Sequence, residues 1–173
     1  RNAAVLMPDP DRPAILLFDW GDTLMRDDPA QSGPMAQWPE VAVLPGAREA
    51  LIWARGIGQV GIASGAADSD SADIRAALAR VGFDSLIDFI FCRRDIGADK
   101  TDPRFWQAIL AQLGLPPQQV VMIGDSYATD IAPAQAAGLH TFWLNSHNLP
   151  PRPTATIHAL SELPQRFPCV LVK

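Results

Sequence analysis

Apolar residues in this chain come in short bursts separated by polar stretches rich in proline and glycine. The run AILLF at 14–18 is continuous rather than alternating, the pattern of a strand buried on both faces. Further strands are expected at 59–63, 86–92, 120–123 and 139–144, with a sixth at 169–172. Helical segments lie between them. Pro45 opens a helix over 46–55 that Gly56 closes. Ser69 or Ser71 can cap a second, running to about Arg80. Pro103 stands at the first position of a third, which Gly114 ends. Residues 127–137 form a fourth, and Pro133 predicts an irregular or kinked first turn. Residues 25–44, broken by Pro29, Pro34 and Pro39, read as irregular, as do Pro150, Pro151 and Pro153.

Strands alternating with helices require right-handed crossovers. The expected fold is therefore α/β, a single doubly wound, Rossmann-like parallel sheet with helices on both faces. Residues 1–13 read as a tail and 14–173 as the core. In such sheets ligands lie beyond the carboxyl ends of the strands. Asp19 follows the first strand, Ser64 the second and Asp125 the fourth, while Lys100 stands a loop beyond the third.

Composition narrows the function classes. The 173 residues suit one domain, and 48% apolar with 19% charged residues excludes intrinsic disorder. A net charge of −5 with no block of Lys or Arg argues against nucleic acid or an anionic membrane as partner. No apolar run approaches the ~20 residues of a membrane span. The N-terminal residues lack a signal-peptide layout. Cys92 and Cys169 are too few for a disulfide framework, so a reduced, cytoplasmic setting is expected.

Asp19, Asp125 and Asp130 are three carboxylates that repel one another unless a cation neutralises them. Oxygen-only ligands select a hard ion such as Mg²⁺. Ser64 with Gly65 offers a hydroxyl and an unobstructed amide to a phosphate, and Lys100 adds a point charge. A carboxylate nucleophile, a hard metal, a hydroxyl and a lysine suit phosphoryl transfer through an aspartyl-phosphate.

Four segments in series resemble the motifs of the haloacid dehalogenase-like hydrolases: FDWGDTL at 18–24, IAS at 62–64, KTDPRF at 100–105 and GDSYATDI at 124–131, with AAG at 136–138 continuing the last. The resemblance covers 14 to about 145. It implies that Asp19 is the nucleophile and a metal ligand, that Asp125 and the backbone carbonyl of Gly21 are further ligands, and that Asp130 supports the metal's waters. It also implies that Ser64 binds phosphate and Lys100 balances charge. The expected partner is a phosphorylated small molecule or macromolecule.

The chain departs from the family pattern two residues after Asp19, where an acid normally protonates the leaving group and activates water. Gly21 stands there, and an acid appears one residue later as Asp22. Asp22 is either a displaced acid or a turn residue, and the register of Asp19 and Thr23 favours the turn. A second departure is Gly65, where Asn is common. Losing the acid would slow the chemistry by ~10²–10⁴-fold without abolishing it.

The intervals between motifs leave no room for a separate cap domain. Residues 25–44 suffice for a flap, with Trp38 as a candidate wall, and a second copy of the chain is another way to cover the open site. Trp20, Phe105, Trp106 and Cys92 read as wall or core. Asp9, Asp27 and Asp28 read as solvated loop acids, Asp68, Asp70 and Asp73 as favouring a helix N-terminus, and the three histidines lack metal-ligand spacing. The leading expectation is an Mg²⁺-dependent phosphatase-type hydrolase. The alternatives are a non-catalytic or weakly active phosphate- or protein-binding relative, and a dehalogenase on the same scaffold.

Overall fold

The structure is a computed structural model and describes residues 12–167. Six parallel strands form one sheet in the order β3-β2-β1-β4-β5-β6. They are β1 (Ile15–Phe18), β2 (Gln59–Ser64), β3 (Phe89–Cys92), β4 (Val120–Gly124), β5 (His140–Leu144) and β6 (Ala155–Ile157). The helices are α1 (Ala47–Ile57), α2 (Ser71–Arg80), α3 (Arg93–Ile96), α4 (Pro103–Leu113), α5 (Ala132–Ala136) and α6 (Leu163–Arg166). The doubly wound parallel sheet expected from the sequence is the fold observed. Among the described residues no helix is long and apolar enough to cross a membrane.

The continuous apolar character of β1 reflects its place at the centre of the sheet, paired with β2 on one side and β4 on the other. Its side chains divide between two cores because successive strand residues point to opposite faces. Leu16 and Phe18 pack with α1, α2 and α6 through Leu51, Ile74 and Leu163. Ile15 and Leu17 pack with α4 and α5 through Phe105, Trp106, Ile109 and Ala134. From β1 the chain winds outward through β2 and β3, then returns beside β1 as β4 and winds the other way. The reversal between β1 and β4 opens a crevice at their carboxyl ends. Asp19 and Asp125 are the residues immediately beyond those two strands.

Several local expectations need correction. The first helix runs through Gly56 to Ile57 and is stopped by Gly58, whose amide bonds the Ala54 carbonyl. The cap of α2 is Asp70, not Ser69 or Ser71: its carboxylate accepts from the Asp73 amide while Asp73 accepts from the Asp70 amide, a reciprocal box. The third strand begins only at Phe89, because residues Asp84–Leu86 turn as a 3₁₀ helix. Helix α3, which no periodicity announces, lies between β3 and Lys100. A further strand after β5 does exist, but it is β6; the strand expected at 169–172 lies outside the described residues.

The irregularity expected from Pro133 is a wide turn of π type at Tyr127–Ile131, closed by the Ala132 amide on the Tyr127 carbonyl. Pro133 has no amide to donate to the residue four earlier, so a regular helix cannot start further upstream without losing that bond. The wide turn folds Asp130 back against Gly124. A Cβ added at Gly124 would fall 2.6 Å from both Cβ and Cγ of Asp130. We therefore expect Gly124→Ala to displace a carboxylate that is almost fully buried and to destabilise the fold by ~1–3 kcal/mol, as overpacking does. Urea denaturation checks this; an unchanged midpoint would mean that the approach of these residues is not a constraint.

Candidate active site

The crevice holds a cleft of about 550 Å³. Its floor is built from the ends of three neighbouring strands: Ser64 ends β2, Asp19 follows β1, and Asp125 follows β4. Asp19 is fixed as if its strand continued, its amide donating to the Ile123 carbonyl at 2.8 Å. The Asp125 carbonyl accepts from the Trp143 indole at 2.9 Å. The sequence-expected residues Asp19, Gly21, Ser64, Gly65, Lys100, Asp125 and Asp130 all line this one cleft.

Lys100 ties the floor together. Its ammonium donates to Asp19 Oδ1 at 2.6 Å and to Asp130 Oδ1 at 2.8 Å, with only 4% of the residue exposed. Trp106 holds the lysine backbone through its indole, 2.8 Å from the Lys100 carbonyl. Burial by itself pushes the ammonium pKa down, but the charges of Asp19 and Asp130 outweigh it and hold the pKa above the ordinary lysine value.

Thr23 connects the two central carboxylates. Its hydroxyl lies 3.2 Å from Asp19 Oδ2 and 3.2 Å from Asp125 Oδ1, so one hydrogen serves both. In the sequence Thr23 serves only as a marker of register; the signal for its role is its position one turn beyond Asp19. Ser64 Oγ accepts from the Ala66 amide at 3.1 Å, which leaves its own O–H to be donated into the cleft.

Asp19, Asp125 and Asp130 each place a carboxylate oxygen within 4.8 Å of the others. Burial raises Asp125 to about 8, reinforced by the charge of Asp19 and a shared hydrogen bond with it. Burial and Asp19 push Asp130 up to about 6 in spite of Lys100. These are carboxylates crowded beyond what one lysine neutralises, and all their donor atoms are hard oxygens, which fits Mg²⁺. The three are not equivalent. Both oxygens of Asp130 are engaged, Oδ1 by Lys100 and Oδ2 by the Ser126 amide at 3.0 Å. Asp19 also has both oxygens engaged, by Lys100 and Thr23, so burial makes the difference: Asp130 is 1% exposed and suits orienting its neighbours, while Asp19 and the half-buried Asp125 border the open cleft and suit direct ligation.

Of the two acids of the first loop, Asp22 takes the turn role that the register of Asp19 and Thr23 favours, at the rim of the cleft, and only Asp27 differs from expectation. Asp22 is exposed, takes the left-handed conformation at φ 58°, and spends Oδ1 on the Asp27 amide at 3.0 Å. Asp27, expected from sequence to be a solvated loop acid, borders the cleft. Partial desolvation against the cleft wall raises its pKa, and the negative charge of Asp22 adds to the rise. Trp20 and Trp38 also border the cleft while packing into the larger core.

The model of the haloacid dehalogenase-like hydrolases matches residues 32–138. The chain belongs to that family. It is 33% identical over 127 residues to the pyrimidine 5'-nucleotidase YjjG of Escherichia coli, a match that takes in 70% of this chain and 55% of that protein. The chain thus spans about half the length of this relative. Among solved structures, an uncharacterized protein from Listeria monocytogenes serotype 4b superimposes with a TM-score of 0.81 at 24% identity, over 91% of this chain and 98% of that one. A 2-haloacid dehalogenase from Pseudomonas syringae pv. Tomato gives 0.73 at 18%, over 91% and 99%. At these identities the two structures speak for the fold alone.

The raised carboxyl groups fix the sign of a pH dependence. Folded Asp125 keeps its proton to about pH 8, whereas in the unfolded chain it ionises near the ordinary value of 3.8. The folded state therefore binds more protons in that interval, and stability of the metal-free protein falls as pH rises through it, with Asp130 contributing up to about pH 6. A divalent cation replaces those protons, so its stabilising effect should grow over the same interval. Thermal unfolding with chelator and with Mg²⁺, followed from acid to alkaline pH, checks both trends. A Mg²⁺ increment that does not change with pH would contradict the assignment.

Proposed function

We propose that this hydrolase is an Mg²⁺-dependent phosphatase acting on a phosphate monoester in a cytoplasmic setting, through a phosphorylated Asp19. The observation that carries the reading is the environment of Asp19: one carboxylate oxygen on the Lys100 ammonium, the other on the Thr23 hydroxyl, and the Asp125 carboxylate beside it. Those contacts hold the carboxylate in one orientation on the floor of the cleft, as an attacking nucleophile requires.

Asp19 and Asp125, with the Gly21 carbonyl, would hold the metal. When bound, Mg²⁺ supplies positive charge to the phosphoryl oxygens and to the two carboxylates. Ser64 Oγ and the Gly65 amide would take phosphoryl oxygens. Lys100 holds Asp19 Oδ1 in place and pairs with Asp130, and a divalent ion would balance the remaining negative charge of the floor. Asp19 is then free to attack phosphorus, and the leaving oxygen departs toward the flap.

The phosphatase reading is favoured over the dehalogenase one by the crowding of carboxylates, which calls for a cation and repels a departing halide. The nucleotidase activity in the name of the E. coli relative makes nucleoside monophosphates the first substrates to try. A second reading, a weakly active or non-catalytic phosphate-binding relative, draws on Gly21.

Asp19→Asn is nearly isosteric and should lower phosphatase turnover by at least ~10³-fold while the chain still unfolds cooperatively, at a midpoint lowered by the loss of one Lys100 partner, with Asp130 remaining as the other. Retained turnover would remove Asp19 from the role of nucleophile. Calorimetric titration with Mg²⁺ should show binding to the native chain and greatly weakened binding to Asp125→Ala. Absence of both turnover and Mg²⁺ binding in the native chain would favour the second reading.

A further inference from the structure

The position that carries an acid in the family is Gly21 here, and the space beside it is not empty. A Cβ added at Gly21 would lie 3.5 Å from Asp27 Cβ, 3.8 Å from Asp27 Cγ and 3.9 Å from Asp27 Oδ2. The carboxyl group of Asp27 therefore stands next to where a side chain at position 21 would begin. It borders the same cleft as Asp19, Lys100 and Asp125.

The loop is built to return residue 27 to this place. The Trp20 carbonyl accepts from the amides of Leu24 and Met25 at 3.0 and 3.1 Å, which tightens the turn. The Asp22 amide donates to the Met25 carbonyl at 2.7 Å, and Met25 bridges both Gly21 and Val43. Asp22, at positive φ, then reaches across the turn to hold the Asp27 amide. Both acids border the cleft, but Asp22 Oδ1 is engaged by the Asp27 amide and serves as a fastener, whereas the Asp27 carboxyl group is the one beside position 21.

We propose that Asp27 is the general acid and base of this chain, standing in for the carboxyl group absent at position 21, with Asp22 as its positioning residue. The proposal rests on the phosphatase reading. In the first step an Asp19 oxygen forms a bond to phosphorus, and the bond from phosphorus to the leaving oxygen breaks. That oxygen keeps the electron pair and takes the proton of the Asp27 carboxyl group. In the second step the Asp27 carboxylate takes a proton from water, whose oxygen bonds phosphorus. The Asp19–phosphorus link breaks and its electron pair returns to Asp19. Monoester and water become alcohol and inorganic phosphate, and both aspartates are restored.

The test compares an aryl phosphate, para-nitrophenyl phosphate, with the best alkyl phosphate from a panel of sugar and nucleoside monophosphates, all with Mg²⁺. An alkoxide leaves poorly without a proton, whereas a nitrophenolate does not need one. Asp27→Asn should lower kcat on the alkyl phosphate by ~10²–10⁴-fold and on the aryl phosphate by less than ~10-fold. The double variant Gly21→Asp with Asp27→Ala should bring alkyl phosphate turnover back to within ~10-fold of the native chain. Asp27 is exposed, so neither change removes core packing.

Equal losses on both substrates, or no loss on either, overturn the proposal while the phosphatase reading stands. So does a native chain active on the aryl phosphate alone. A selective loss that a carboxylate at 21 fails to repair makes Asp27 a positioning residue and also overturns it. A native chain with Mg²⁺ that hydrolyses neither substrate removes the phosphatase reading itself, and the proposal with it.

Discussion

The site depends on one buried ammonium. Lys100 sits beneath the cleft in contact with two carboxylates, and a third lies beyond Asp19. Removing one partner of such a pair leaves an uncompensated buried charge, which typically costs ~3–5 kcal/mol. The pair does more than cancel charge. Asp19 arrives from β1, Asp130 from the wide turn after β4, and Lys100 from the segment after α3, so a single ammonium joins three parts of the chain that are far apart in sequence. With all three carboxylates deprotonated, as a bound cation requires, the one ammonium leaves two negative charges, the amount a divalent cation balances. The same arrangement that makes the metal-free site costly makes it selective for a hard dication.

The sheet is legible in the sequence because burial on both faces writes itself there as continuous apolar runs. The runs at 14–18, 59–63, 120–123 and 139–144 correspond to β1, β2, β4 and β5. β6 leaves no such trace because it has three residues at the sheet's edge, only one of them fully buried, so hydrophobic continuity never develops. α3 escapes for a similar reason: four residues of Arg-Arg-Asp-Ile carry no apolar period. Asp19, Ser64 and Asp125 are legible because each is the polar residue at the end of an apolar run, a matter of topology more than composition. Thr23 and Asp27 have no such mark. Their placement depends on how the loop after β1 closes, and hydrogen bonds within a loop leave no periodic trace.

The segment 25–44 shows how such a loop can be ordered with little secondary structure. Leu24 and Leu44 join through a backbone hydrogen bond, as do Arg26 and Ala42, which makes the base of the flap a narrow ladder. At the far side Arg80, at the end of α2, donates to the carbonyls of Trp38 at 2.6 Å, Ala36 at 3.2 Å and Pro39 at 3.2 Å. A guanidinium with several donors in one plane suits a cluster of carbonyls that have no strand or helix partner. Trp38 adds apolar burial to this polar fastening. In the sequence Arg80 is an ordinary helix-ending cation, and only the tertiary arrangement shows that it holds one wall of the cleft.

The glycine at position 21 and the acid at position 27 are better understood together than apart. A residue at 21 with a full side chain would meet Asp27 at ordinary contact distance from its first carbon, so a carboxyl group there would have to share the space that Asp27 borders. Two carboxylates so close, next to Asp19, would add a further like charge to a floor that already carries an excess of them. One acid beside the leaving group is compatible with that balance; two are not without a further cation. Gly21 therefore need not mean that an acid has been lost from the site. Gly21 leaves the neighbouring space to the acid that the flap supplies, and Asp22 fits the same turn: it accepts positive φ and fastens the Asp27 amide.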